Sequence, residues 1–219
     1  TDSVRMDDRI YQHAETLVDW SARIERGDDV VMTVAEGAHD LATATARVLG
    51  ERGANLATLY QSGEIGRAYL TGHDGKFDSD PAHELALYET ADSVLFLGGE
   101  WNTAAMADVP GERQSAYSRS RQAIREARMD TDWVSTVHPT RALAQQAGMS
   151  LPAYEDFVYD AVLRDWESLA GEMAQLKSIL DDGSEARIVA DGTDLTMSID
   201  GRTAVNSAAS VVYDSHNLP

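Results

Sequence analysis

The sequence predicts an α/β fold: a parallel β-sheet with flanking helices, followed by a helical connector and the start of an antiparallel β domain. Three observations carry that reading. Up to about residue 138, short apolar runs such as DDVVMTV at 28–34 and SVLFL at 93–97 alternate with helix-forming stretches. Residues 139–183 hold helical pattern almost throughout. Beyond residue 184 apolar and polar residues alternate ahead of an Asp-Gly turn at 200–201.

The elements follow in order. Residues 7–24 read as a helix, with Ile10, Leu17, Val18 and Ile24 on or near one face. After a turn at Gly27, residues 28–34 form a buried strand, 39–52 a helix, 55–60 a second strand and 64–70 a short helix. Residues 93–97 form a third strand, ended by Gly98-Gly99; 110–128 form a further helix, and 132–137 a fourth strand. Such βαβ units give right-handed crossovers and a Rossmann-like parallel sheet.

In the connector, Pro139 suits a first helical turn, 141–147 form a helix and Gly148 stops it. Ser150 caps the next helix. Tyr154, Val158, Val162, Leu169, Met173, Leu176 and Leu180 recur on one face of it, and Gly171 marks a kink or break. Asp181-Asp182-Gly183-Ser184 then punctuates the chain. Residues 186–190 are a strand, 195–199 alternate, Asp200-Gly201 is a two-residue hairpin turn and 203–210 form the return strand. The resulting division is 1–138 for the N-terminal α/β domain, 139–183 for the helical connector, and 184–219 for the beginning of a further domain. An edge left unpaired in that last part would invite self-association.

Composition sets the environment. The chain carries 18 Lys and Arg against 37 Asp and Glu, a net charge of −19, with lysine only at Lys76 and Lys177 and no cysteine. So strong a field argues against nucleic acid and anionic membrane as partners. At molar salt the Debye length is about 3 Å and the self-repulsion is screened. Few lysines, many aspartates and no cysteine point to the cytoplasm of a salt-accumulating, halophilic cell. No apolar run approaches a membrane span, and TDSVRMDDRI has no apolar signal core; Met6 would serve as a start.

Familiar catalytic motifs are missing. There is no GxSxG, HExxH, P-loop or GxGxxG, and without cysteine a thiol nucleophile is excluded. The turn after the first strand, Ala35-Glu36-Gly37-Ala38-His39-Asp40, offers a single glycine. His73-Asp74-Gly75-Lys76-Phe77-Asp78-Ser79-Asp80, with His83 after it, supplies oxygen ligands for a cation. It lacks EF-hand spacing, and a solvated acidic loop explains it better. Gly98-Gly99-Glu100-Trp101-Asn102 lies where open α/β sheets bind ligands, but a glycine turn packed by tryptophan accounts for it better. Arg113, Arg119, Arg121, Arg125 and Arg128 crowd together, and Arg121, Arg125 and Arg128 share a face. An interface to an acidic surface of another domain or subunit suits them better than an anion site.

One stretch is more specific. Residues 136–166 carry Pro139-Thr140, Ala147-Gly148-Met149-Ser150, Phe157-Val158 with Ala161, and Asp165. These resemble the middle section of the aminopeptidase T family, the thermophilic leucyl aminopeptidases (metallopeptidase family twenty-nine), in a haloarchaeal-like form. Gly27-Asp28 ahead of an apolar strand, Asp194-Leu195, Gly201-Arg202 and the final Asn217-Leu218-Pro219 fit the same family.

The resemblance implies a two-domain exopeptidase that removes N-terminal residues from peptides. It implies two divalent metal ions (cobalt, zinc or manganese), held by carboxylates and histidines, and a homo-oligomer. The family's first ligand glutamate would follow Pro219, and no residue here matches a family ligand. No catalytic or metal residue is therefore assigned, substrate-binding residues stay unknown, and the stretch is expected to be inactive alone. His216 and Asn217 stand next to the first ligand in sequence. A free-standing α/β small-ligand-binding domain, or a dimerisation domain, remains the alternative.

Overall fold

Strands form where β-branched and apolar runs sit between turn residues. The computed structural model describes residues 7–77 and 81–206. Strands β1 (Asp29–Ala35), β2 (Asn55–Gln61), β3 (Ser93–Gly98) and β4 (Asp132–Val137) make one parallel sheet in the order β2-β1-β3-β4. Val30 of β1 lies between Leu56 and Ser93, and Leu95 of β3 beside Val134.

The two-residue period of the strands divides the core in two. Val30, Met32, Val34, Leu95, Leu97 and Val134 pack on one face, against α1 (Asp8–Glu15), α2 (His39–Arg52) and Tyr159 of α8 (Leu151–Val162). Val31 and Val94, with the partly buried Phe96 and Trp133, pack on the other. There they meet Tyr88 of α4 (Ala82–Glu89) and Ile124 of α6 (Gln122–Met129). This is the doubly wound arrangement expected of an α/β chain. The α/β and parallel-sheet expectation therefore holds, and a small antiparallel sheet follows it, as set out below.

Local chemistry explains the boundaries. Asp7 caps α1 by accepting from the Arg9 N–H, and the run continues as a π-helix over Thr16–Ser21. Gly53, at φ +80°, ends α2 in the left-handed region that favours glycine. Thr140, Ser150 and Asp165 each cap a helix: α7 (Arg141–Gln146), α8 and α9 (Trp166–Asp181).

Four expectations need correction. The helix expected over 110–128 is two, α5 (Gly111–Arg119) and α6; the Ser120 hydroxyl turns back to the Tyr117 carbonyl and the chain breaks at Arg121. The long helix from Ser150 breaks between Val162 and Trp166, because Asp165 caps a new start; Gly171 sits unremarkably inside α9. Helix α4 was not foreseen: it is two turns long and starts without a side-chain cap. The hairpin turn is Asp191-Gly192, which joins β5 (Glu185–Ala190) to β6 (Thr193–Ser198) by pairing Ala190 with Thr193. Asp200-Gly201 does turn, with an Arg202 N–H to Ile199 O bond of 3.1 Å, but 203–206 form no strand. Residues 207–210 of the expected return strand lie outside the described residues.

The described residues form two compact units, one built from residues up to 164 and one from residues 165–206. In the first, α3 (Gly63–Gly72) joins the helices already named. In the second, α9 buries none of its residues and the β5–β6 ribbon is exposed almost throughout, Ile188, Val189, Leu195 and Met197 included. An isolated two-stranded ribbon is marginal in water.

Candidate functional site

In a sheet ordered β2-β1-β3-β4, the chain leaves β1 and β3 in opposite directions, and the crevice between their C-terminal ends is where such folds bind ligands. Here the two loops clamp each other. The Gly37 N–H donates to the Gly99 carbonyl at 2.7 Å. Glu36 is 7% exposed and accepts from the Trp101 N–H at 3.3 Å. The Thr140 hydroxyl donates to the Glu100 carbonyl at 2.8 Å and accepts from the Leu143 N–H at 3.3 Å. A Cβ at Gly37 would strike the Gly99 carbonyl oxygen and come within 2.7 Å of Thr140 Cγ2 and 3.0 Å of Trp101 Cδ1. The loops that follow β1 and β3 are thus in direct contact around Gly37. A hollow of about 620 Å³ opens elsewhere, between α4 and α6, lined by Tyr88, Asp92, Glu126 and Asp132.

Behind the clamp lies a buried histidine that sequence reasoning did not single out. His13 is 1% exposed, and its Nε2 sits 2.8 Å from the Thr136 hydroxyl of β4. The Tyr159 ring meets it edge-on, with centroids 6.3 Å apart. His13 Nδ1 and His138 Nδ1 are buried without a hydrogen-bond partner. Burial, with nearby His138 adding to it, pushes the His13 pKa down to about 4. Burial lowers that of His138 too, against Asp40, which raises it. The available signal was His13's place between Ile10 and Leu17 on the apolar face of the first helix.

The other singled-out residues are placed as follows. Arg121 pairs with Glu84 and stacks over Tyr117 at 4.9 Å, and Arg128 stacks over Phe96 at 4.8 Å. Both are engaged within the chain, while Arg125 is exposed. Arg113 donates to the Leu70 and His73 carbonyls at 2.6 and 2.7 Å, so a guanidinium holds oxygens that a cation would need. His73 stacks on Phe77 at 4.2 Å, and the Asp74 carboxylate accepts from the Lys76 N–H at 3.0 Å. The acidic loop is thus pinned by its own contacts; Asp78, Ser79 and Asp80 lie outside the described residues. So do His216 and Asn217.

Among the described residues no group of three or more His, Asp or Glu could hold a metal ion. They do not fit a two-metal centre. No helix among them is long and apolar enough to cross a membrane.

The motif residues of 136–166 turn out to be structural: Thr140 clamps the crevice, Gly148 at φ +67° ends α7, and Ser150 and Asp165 cap helices. That set, on this fold, defines a class: the sequence profile of the thermophilic metalloprotease family (M29) matches residues 6–219, and the chain belongs to that family. The fold is similar to that of wild-type AmpT from Thermus thermophilus, with a TM-score of 0.66 and 19% identity over 89% of this chain. The chain spans 54% of that protein's length. Similarity falls to a TM-score of 0.29, at 13% identity, for an alcohol dehydrogenase superfamily protein from Novosphingobium aromaticivorans, over 74% of this chain and 49% of that one. A comparison with curated proteins found no match.

Proposed function

We propose that the chain is the N-terminal region of a metal-dependent aminopeptidase that removes N-terminal residues from peptides. The observation that carries this is the family match over residues 6–219. In this reading the first unit is a scaffold. Residues 184–219 begin the catalytic domain, and the ligands for two divalent ions (cobalt, zinc or manganese) lie outside the described residues. His216 and Asn217 then approach the metal site in sequence, and the exposed Arg125 belongs to a contact surface.

The test is cleavage of a leucine chromogenic substrate with cobalt, zinc or manganese in strong salt. The 219-residue chain is expected to show no turnover, while a chain extended by the family's Gly-Glu and later histidines turns over in a metal-dependent way. Metal-dependent turnover by the 219-residue chain that survives repurification would overturn the assignment of ligands; an extended chain that stays inactive would overturn the aminopeptidase reading.

We place the protein in a salt-rich cytoplasm, on its charge of −19 and its two lysines. Nearly all its cations are arginines, and several fork onto carboxylates, as Arg52 does with Asp19 at 2.7 and 2.8 Å and Arg187 with Asp194 at 2.8 Å. Screening at about 3 M potassium chloride should raise the melting midpoint over that at about 0.1 M by several degrees. A midpoint that is unchanged or lower at high salt would exclude salt adaptation.

A further inference from the structure

Four Asp-Gly pairs stand in the chain, at 74–75, 182–183, 191–192 and 200–201. Such a pair carries its own reaction. The glycine amide nitrogen attacks the aspartate Cγ, the nitrogen's hydrogen leaves with the carboxyl hydroxyl as water, and a succinimide ring closes. Water then opens the ring at either carbonyl. Opening at the main-chain carbonyl leaves isoaspartate, with the main chain rerouted through Cβ and the α-carboxylate as a side group. Glycine permits the attack because no Cβ obstructs its nitrogen. The four pairs differ in what surrounds them. At 74–75 both reacting groups are held: the Gly75 N–H donates to His73 Nδ1 at 3.1 Å, and the Asp74 carboxylate accepts from the Lys76 N–H at 3.0 Å. Arg113 also fastens the His73 carbonyl at 2.7 Å. At 182–183 the Gly183 N–H donates to the Leu180 carbonyl at 3.1 Å, and the Ile179 carbonyl and Ile199 Cδ1 lie 3.3 Å from where a Cβ would stand. At 191–192 and 200–201 all four residues are exposed, and nothing lies within 4 Å of a Cβ added at either glycine. Those two turns are closed by their flanking residues, Ala190 paired with Thr193 and the Arg202 N–H on the Ile199 carbonyl at 3.1 Å.

We infer that Asp191 and Asp200 are sites of isoaspartate formation in the folded chain, and that Asp74 and Asp182 are shielded from it. Ring closure needs the glycine peptide plane to turn a face toward Cγ. The two open turns permit that motion; the hydrogen bonds at Gly75 and Gly183 oppose it until they break locally. At Asp191 the product adds a main-chain carbon to the link between Ala190 and Thr193. A ribbon of two strands has little else to hold its register, so the added carbon weakens β5–β6 pairing.

The test holds the full chain folded at neutral pH in strong salt and, in parallel, unfolded in guanidinium chloride. A protease that cuts before aspartate and spares isoaspartate, followed by electron-transfer fragmentation, reads each site. In the folded chain isoaspartate is expected at Asp191 and Asp200, with conversion of Asp74 and Asp182 slower by at least about tenfold; in the unfolded chain all four convert. Asp191→Glu, whose ring would need a further carbon, should lose the product at that position and keep the one at Asp200. Asp74 or Asp182 converting as fast as Asp191 in the folded chain would overturn the inference. So would Asp191 or Asp200 staying aspartate there while converting in the unfolded chain, or a product at 191 that persists in Asp191→Glu. None of these results bears on peptidase activity, so the aminopeptidase reading stands or falls separately.

Discussion

Gly37→Ala is expected to destabilise the first unit by about 3 kcal/mol, a fall of roughly 10 °C in its melting midpoint. The added Cβ meets the Gly99 carbonyl oxygen, which belongs to backbone and has no rotamer to escape into. Thr140 Cγ2 and Trp101 Cδ1 close the remaining directions at 2.7 and 3.0 Å. Relief requires parting the loops, which costs the 2.7 Å Gly37–Gly99 hydrogen bond and disturbs the Trp101–Glu36 and Thr140–Glu100 bonds beside it. Gly50→Ala is the matched control. Gly50 lies on the exposed side of α2 with nothing within 4 Å of an added Cβ, and alanine there should stabilise by roughly 0.5–1 kcal/mol. Thermal melts of the two variants should therefore move in opposite directions. A Gly37→Ala midpoint within about 2 °C of the parent would mean that the clamp yields at little cost.

The second large effect is acid destabilisation through His13. Its pKa is about 4 in the folded chain against an ordinary 6.5, because burial and His138 disfavour its charged form. Between those values the unfolded chain holds a proton that the folded chain does not. Stability is therefore complete above about pH 6.5 and is lost as pH falls toward 4, on the order of 3 kcal/mol over the window. His138 adds in the same direction. Titration of carboxylates lowers the net negative charge over the same range and acts oppositely, so melts in about 1 M salt isolate the histidine effect. His13→Gln keeps a polar group toward Thr136 and removes the titration; its stability should be markedly flatter from pH 6.5 to 5. A His13→Gln slope equal to the parent's would assign the acid limb to other groups.

What was legible in the sequence depended on how local its cause was. The strands at 28–34 and 93–97 could be read because a strand buried on both faces must be apolar without interruption. The caps at Ser150, Gly148 and Gly53 act over a few residues, and those at Ser150 and Gly148 were read directly. Asp165 has the same capping chemistry, but the apolar spacing of Val162 and Leu169 runs across it, so periodicity concealed the break between α8 and α9. Two Asp-Gly pairs stand close together, and only pairing decides that Asp191-Gly192 closes the hairpin. The arginine face of 121–128 was a correct count of charges, yet Glu84, Tyr117 and Phe96, which engage Arg121 and Arg128, come from elsewhere in the chain. Likewise nothing local announces that Gly37, Gly99 and Thr140 meet. The residues that carry the family resemblance were recognisable as a pattern, while their work as caps and clamps was not.

The sheet order also sets the tempo at which this chain organises itself. β1 pairs with β2 through a short crossover, but its other neighbour, β3, arrives only after β2, α3 and α4. That pairing closes a long loop and must absorb its entropy before contacts return anything, which places it among slow, non-local events. The β5–β6 ribbon, closed by two residues, forms on the microsecond scale typical of hairpins. A ribbon that follows the sheet in sequence is thus quicker to adopt local order than the sheet itself. The centre of the sheet, β1 beside β3, is the step that paces maturation of the first unit.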